Sequence, residues 1–422
     1  MLLTDIKKYN IDKVILYKHK KFFTSVCRSK WVFLNACIEE YVSECIANKI
    51  NVSVVDVKPT GNLFVYDIPD HEISTEFKTA TVLQTSYFIL TNDDRNEYIS
   101  GIKVKSIFTN FYKTYRAKYN ILMKGDNPVG GEWSFDKDNQ GVPKNKTSDT
   151  KIYKPITTNW DTWVTKSKKA NILYGTEAAV PYATTRKGAL LALSNFTKNR
   201  LNSFGDYQDF YDMDNWQVNH AIISMYLNVG LLTPKAVLSY VTKYATIHKI
   251  KINSLEGFVR QLFWREYMYL IYYHMTPVNN FFGNKKKLPA AVWKGETGIL
   301  PVDHAIKQTM ISGYLHHIGR LMILGSYFLM SEVHPNRVFS WFNSMYIDAY
   351  DWVMYGNVYC MSQFADGGMY TSRPYFSSSK YLTKMTNFPA GDWREKWDEL
   401  FNGFLVSKKN KLKKLYLVSR WV

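Results

Sequence analysis

Along the first 120 residues, short apolar runs alternate with longer amphipathic stretches. Val14-Ile15-Leu16-Tyr17 predicts a strand, residues 30–47 an amphipathic helix, and Val52-Ser53-Val54-Val55 a second strand. Residues 82–88, continuing through Ile89 and Leu90, predict a further buried strand. Strand, crossover helix and strand is the pattern of a parallel sheet. From about Thr184 the apolar positions recur at spacings of three and four, which is the helical period. The helical segments are punctuated at Thr233-Pro234, Pro277, Pro301, Pro335 and Gly367-Gly368. Pro335 suits the first residue of a helix, where a missing N–H costs nothing. Residues 125–159, rich in glycine, proline, asparagine and charge, read as connector. The expected organisation is an α/β domain over residues 1–120, a connector over 121–183 and an all-helical domain over 184–422.

Composition sharpens this picture. The 422 residues are 46% hydrophobic and 21% charged, enough for two or three domains with real cores. The formal net charge of +18 points to a polyanionic partner, with nucleic acid ahead of an anionic membrane surface. Four cysteines without metal-like spacing imply neither a disulfide framework nor a zinc site, so no metal is expected. Asp5, Lys7 and Lys8 stand where a signal peptide needs an apolar core. The longest near-continuous apolar run, residues 321–330, is too short to span a bilayer. These features predict a soluble intracellular chain that is not in the membrane, and a monomer is expected.

Candidate chemistry concentrates at His316 and His317. In a continuous helix through this stretch, Gly313, His317 and Arg320 would share one face. Imidazole exchanges a proton near neutral pH, and guanidinium holds phosphate or carboxylate. A hydrogen-bonded core histidine pair is the competing reading, and these residues alone leave both open.

Three other helical segments set polar groups among aromatics. One runs from Phe204 through Asp209 to His220, Ser224 and Asn228. The second places Gln261, Trp264 and Arg265 on one side of a helix. The third carries Asp348, Trp352 and Asn357 into residues 361–368. Singly, each is an ordinary core stripe. In this order and at these intervals they resemble the photolyase/cryptochrome superfamily. Within it the resemblance is to the photolyase-related branch of the iron–sulfur bacterial cryptochromes and (6-4) photolyases. It extends through residues 122–136, Trp293-Lys294-Gly295-Glu296-Thr297 and residues 373–379.

The resemblance implies a Rossmann-like N-terminal domain, shortened because the family's opening strand precedes the segment that begins here near Ile11. It also implies a helical domain that buries a U-shaped FAD, and UV-damaged DNA as partner. The flavin-binding set would be Ser224, Gln261, Trp264, Arg265, Tyr314, His317, Arg320, Asp348, Met354 and Asn357. His317 matches the histidine that faces the lesion and aids proton transfer, with His316 beside it as a second catalytic candidate or a positioning group. Trp341 and Trp293 match the family's electron-transfer route, with Trp352 as an alternative carrier.

Three departures modify those expectations. Pro301 takes the place of one cluster cysteine, and residues 387–393 hold none, so no iron–sulfur cluster is expected. Phe342 replaces a tyrosine, and Met354 stands where some relatives place an acid. Antenna-chromophore binding stays open with the shortened domain. The implied activity is light-dependent repair of (6-4) pyrimidine photoproducts by a DNA photolyase. A cryptochrome-like blue-light receptor, a cyclobutane-dimer photolyase and a flavin-free DNA-binding module are the alternatives.

Overall fold

The computed structural model describes residues 3–102, 107–170, 172, 174–176, 180–274, 279–416 and 418–419. The punctuation read at Pro277 lies outside them. A small α/β segment leads into a large helical body, as the apolar periodicities predict. Strand β1, Lys13–Tyr17, pairs in parallel with β2, Asn51–Val55. The crossover is the helix Arg28–Ala47, whose Val32, Phe33, Ala36 and Cys37 are buried. Residues 32–37 are buried without a break, so this part of the helix packs on all sides, and the glutamates Glu39, Glu40 and Glu44 follow it.

Strand β3, Phe64–Tyr66, pairs in parallel with β4, Thr81–Leu83. The two pairs are separate two-stranded sheets rather than one continuous sheet. The strand expected over residues 82–88 therefore ends at Leu83. Phe88, Ile89 and Leu90 are buried for a different reason. Phe88 stacks on Tyr269 of the helix Ile252–His274 with ring centroids 4.1 Å apart, and the Leu90 N–H donates to Glu266 at 3.1 Å. An apolar run of this length cannot distinguish a strand from a loop that packs on a helix.

The connector is pinned by buried polar groups. Arg116 is fully buried, and its guanidinium donates to the carbonyls of Ile121, Trp133 and Leu122 at 2.9–3.1 Å. Glu256, also fully buried, accepts from the Tyr112 hydroxyl and the Phe135 N–H, both at 3.0 Å. Hydrogen-bonded this way, a guanidinium and a carboxylate can stay in the interior. Pro335 opens the helix Pro335–Met345 as expected. No helix among the described residues is long and apolar enough to cross a membrane.

The main departure falls at the histidines. The sequence reads as one apolar helix through His316 and His317, but the helix Leu300–Ser312 stops at Gly313, which has φ 64°. Tyr314, Leu315 and His316 are not helical, and a π-helical segment, Gly319–Gly325, follows. Gly313, His317 and Arg320 therefore do not share a helical face. The break is held on several sides. Ser312 Oγ donates to the Tyr314 carbonyl at 2.7 Å, and the Tyr182 hydroxyl reaches the Ser312 carbonyl at 2.8 Å. The Ile347 N–H donates to the Gly313 carbonyl, also at 2.8 Å.

A second π-helical segment, Tyr355–Ser362, packs on the first. Gln363 Nε2 donates to the Gly325 carbonyl at 3.1 Å, and a Cβ on Gly325 would lie 2.9 Å from Ser362 Oγ. Such segments widen a helix and re-aim its side chains.

Gly313 supplies a direct test. Its left-handed backbone disfavours any side chain, and an added Cβ would sit 2.7 Å from Ser29 Cβ. Gly313→Ala is expected to cost about 2–4 kcal/mol of unfolding free energy, measured by urea denaturation. A loss below about 0.5 kcal/mol would contradict the break described above.

Candidate active site

The helix Ile252–His274, the two π-helical segments and the stretch 220–228 enclose a cavity of about 630 Å³. Ser224, Gln261, Trp264, Arg265, Tyr314, His317, Arg320, Asp348, Met354 and Asn357 all line it. The sequence scatters these ten positions over more than 130 residues, and the fold gathers them around one space. His316, Trp341, Trp293 and Trp352 are not part of the lining.

At its centre Arg320 and Asp348 form a bidentate pair, Nη1 to Oδ1 at 2.9 Å and Nη2 to Oδ2 at 3.1 Å. Two parallel charge-assisted bonds fix both the distance and the plane of the pair. Arg320 Nε also donates to the Leu315 carbonyl, and its guanidinium lies 3.9 Å from the centroid of the Tyr346 ring. Burial alone would lower the Arg320 pKa, but Asp348, Tyr346 and Tyr314 together outweigh it and hold the group above its ordinary value. Ser224 Oγ donates to Asp348 Oδ2 at 2.6 Å, and Asn228 Nδ2 to the Asp348 carbonyl at 2.8 Å.

Arg265 forms a second cationic wall. Its Nε donates to Asn228 Oδ1 at 3.0 Å and its Nη1 to the Tyr87 carbonyl at 2.6 Å. Its Nη2 is buried with no protein partner. Phe88 and Trp352 each lie 4.8 Å from the guanidinium, which places Trp352 behind Arg265. Burial pulls the Arg265 pKa down to about 10. Trp264 stacks on Phe108 at 3.7 Å and presents its other side to the cavity.

His317 opens onto the cavity and is exposed there, between the buried residues His316 and Ile318. Desolvation, reinforced by the Arg320 charge, lowers its pKa to about 4. His316 is only 1% exposed and stacks on His220, with centroids 4.3 Å apart. Neither of its ring nitrogens has a hydrogen-bond partner, and burial pushes its pKa well below the usual value. His220 lines the cavity, donates from Nε2 to the Gln208 carbonyl at 3.0 Å, and is lowered by burial to about 4. All three imidazoles are therefore neutral at pH 7.

Trp341 is fully buried in edge contact with Phe342 and Tyr346, at 5.6 and 5.9 Å. Phe342 lines the cavity, so it stands between Trp341 and that space. Trp293 stacks on Tyr174 at 4.7 Å.

Several lining groups were given no individual role in the sequence reading. Asp209 lines the cavity, as do Asp136, Arg260, Arg373, Tyr375 and Tyr381. Burial, with Asp136 adding to it against Arg260, raises its pKa to about 6. Asn228, one turn after Ser224, stood with Asp209 and His220 in a polar segment already visible in the sequence, whereas Tyr346, which packs on Arg320 without lining the cavity, carried no signal.

The imidazoles make acid stability informative. His220, His304, His316 and His317 all have folded pKa values below the unfolded 6.5, so the unfolded chain binds their protons first. Stability is therefore lost as pH falls from about 6.5 towards 4. Asp209, raised to about 6, opposes this in the same range because its proton binds the folded state first. His316→Phe is expected to flatten the dependence by up to one proton, about 1.4 kcal/mol per pH unit, in urea titrations at pH 7, 6 and 5. Parallel curves for the two proteins would refute the account of His316 as a buried neutral ring.

Comparison with known proteins agrees with this architecture. A family model described as deoxyribodipyrimidine photo-lyase-related protein matches residues 61–170. A (6-4) photolyase of Agrobacterium fabrum is 34% identical over 319 residues, covering 72% of this chain and 63% of that protein. The chain thus spans under two thirds of that relative's length. Uncharacterized protein R855 of Acanthamoeba polyphaga mimivirus is 42% identical over 104 residues, which is 24% of this chain and 84% of that protein. Among solved structures, a bacterial class III photolyase from Agrobacterium tumefaciens aligns with TM-score 0.59 at 16% identity, over 95% of this chain and 81% of its own. A Synechocystis cryptochrome aligns with TM-score 0.59 at 14% identity, over 96% and 88%. At those identities the two structures speak for the fold, while the family model and the curated relative speak for descent. The chain belongs to the photolyase/cryptochrome superfamily, in its photolyase-related branch.

Proposed function

We propose that this protein binds FAD in the central cavity and uses light to revert (6-4) pyrimidine photoproducts in DNA. The observation that carries the reading is His317 opening onto the same cavity as the Arg320–Asp348 pair and the unpartnered Arg265 Nη2.

The residues present fit a flavin dinucleotide. A cavity of about 630 Å³ is in the range of cofactor sites. Its walls combine apolar surface from Leu321, Met322, Phe342 and Met354 with the cations Arg265 and Arg260. A flat ring system suits the first group, and phosphates suit the second. The free Nη2 of Arg265 is a donor waiting for an acceptor that the protein itself does not provide. When bound, reduced FAD would supply the light-driven electron, and the protein's part is binding and orientation.

The chain's own groups then have distinct tasks. Arg320, held in plane by Asp348, presents a fixed positive charge to one side of the cavity. Ser224 and Asn228 keep Asp348 from rotating away. His317 is neutral at pH 7 and begins as a hydrogen-bonding group rather than as an imidazolium. Negative charge brought into the cavity, such as a lesion phosphate, raises its pKa and makes it able to hold and return a proton. Asp209, with a pKa of about 6, offers a second proton-holding group in the cavity wall. The +18 net charge favours association with the DNA backbone.

The test is light-driven repair of an oligonucleotide containing one (6-4) photoproduct by protein loaded with FAD and chemically reduced, beside a dark control. Restored pyrimidines only under blue light are expected. No repair by protein that demonstrably holds reduced FAD would overturn the reading. His317→Ala is expected to keep FAD while losing about 10²–10⁴-fold in repair rate; full activity in that variant would remove its proton-transfer role.

A further inference from the structure

Lys30 is a basic residue buried in the first turn of the helix Arg28–Ala47, 3% exposed. Its ammonium donates to the Ala349 carbonyl at 2.6 Å and to the Asn343 carbonyl at 3.2 Å, and it lies 5.0 Å from the centroid of the Tyr350 ring. Asn343 lies near the end of the helix before the loop that carries Asp348, and Ala349 lies in that loop. The same stretch of the α/β segment grips this loop at other points. The Cys27 N–H donates to the Ser344 carbonyl at 2.7 Å. Lys21 pairs with Asp351 at 2.8 Å, and Phe22 meets the Tyr350 ring edge-on at 5.5 Å. Ser29 fills the space against Gly313, whose carbonyl holds Ile347.

We infer that Lys30 is a positioning residue, which holds the 346–350 loop and the end of the helix before it from the α/β segment and so keeps Asp348 in place for Arg320. Its hydrogen-bond partners are two backbone carbonyls rather than a carboxylate, so it is not simply half of an ion pair. Burying an ammonium is costly, and a methionine would fill the same space without that cost. The cost is visible in its proton affinity. Burial draws the Lys30 pKa down to about 8, against the opposing pull of Cys27 at its own helix start and of Asp348 and Asp351 on the loop. What the charge supplies in exchange is a short charge-assisted bond to the residue that follows Asp348. The aromatic face of Tyr350 is the remaining group turned towards it.

This inference rests on the flavin reading of the cavity only for its binding measurement. Wild type, Lys30→Met and Lys30→Arg would be compared in two ways. Hydrogen exchange of the flavin-free proteins at one pH reads the loop directly. The Ile347 and Ala349 amides are expected to exchange at least about tenfold faster in Lys30→Met, with the overall unfolding midpoint near wild type. FAD affinity, read by flavin fluorescence, is expected to fall at least about fivefold in Lys30→Met. In wild type it is expected to weaken as pH rises from 7 to 9 through the Lys30 titration, while Lys30→Arg, charged throughout, stays level.

Unchanged exchange at Ile347 and Ala349 in Lys30→Met would overturn the inference. So would a pH dependence of FAD affinity that persists in both variants. A chain that takes up no FAD at all would sink the proposed function, and the exchange measurement would still decide the role of Lys30. Were Lys30→Met unable to fold, the wild-type and Lys30→Arg pH profiles would decide it.

Discussion

The bidentate pair between Arg320 and Asp348 is the interaction on which the central cavity depends. It joins one π-helical segment to the loop before the other, and Ser224 and Asn228 tie it to the stretch that forms a third wall. A buried ion pair contributes little net stability, because desolvating two charges offsets most of their attraction. Its value lies in direction. A packed apolar contact would join the same elements but would leave no oriented charge facing the cavity. The surrounding tyrosines, Tyr314 and Tyr346, cover the guanidinium faces and leave its edge for polar partners.

Around that pair the structure keeps its polar groups poised between protein partners and the cavity. Arg265 uses Nε and Nη1 for the protein and leaves Nη2 without a partner. His317 stays neutral because burial and Arg320 both act against its cation. Asp209 tends towards protonation for the complementary reason, a carboxylate beside another carboxylate in a poorly solvated corner. An imidazole lowered and a carboxyl raised in the wall of one space is an arrangement suited to moving protons between them and a guest.

Much of this was legible in the chain, and what was not has physical causes. The crossover helix, the first strand pair and the helical half follow from apolar periodicity, which reports burial of one face. The ten lining positions could be named as a set because the resemblance to the photolyase/cryptochrome superfamily implies them; the spacing alone marked only segments with polar groups amid aromatics. The break at Gly313 could not be read that way. Residues 314–324 are apolar enough to continue a helix, and only the close approach of Ser29, almost 300 residues earlier, requires the turn. Lys30 was hidden for the same reason: a lysine on a helix is ordinarily solvent-facing, and only the tertiary fold sets two carbonyls above it. The run at 88–90 misled because stacking on Tyr269 buries a loop as thoroughly as a sheet would.

The paired π-helical segments constrain how this lineage can change. A π turn accommodates one residue more than an α turn, so each segment holds its side chains in a phase that depends on that extra residue. Substitution at Met322, Met354 or Met361 alters the chemistry of the wall and leaves this phase intact. Loss of a single residue would let the helix relax to the commoner form and rotate every later side chain by about a quarter turn. The cavity is therefore open to drift in composition and closed to drift in length, which confines insertions and deletions to the loops and the α/β segment.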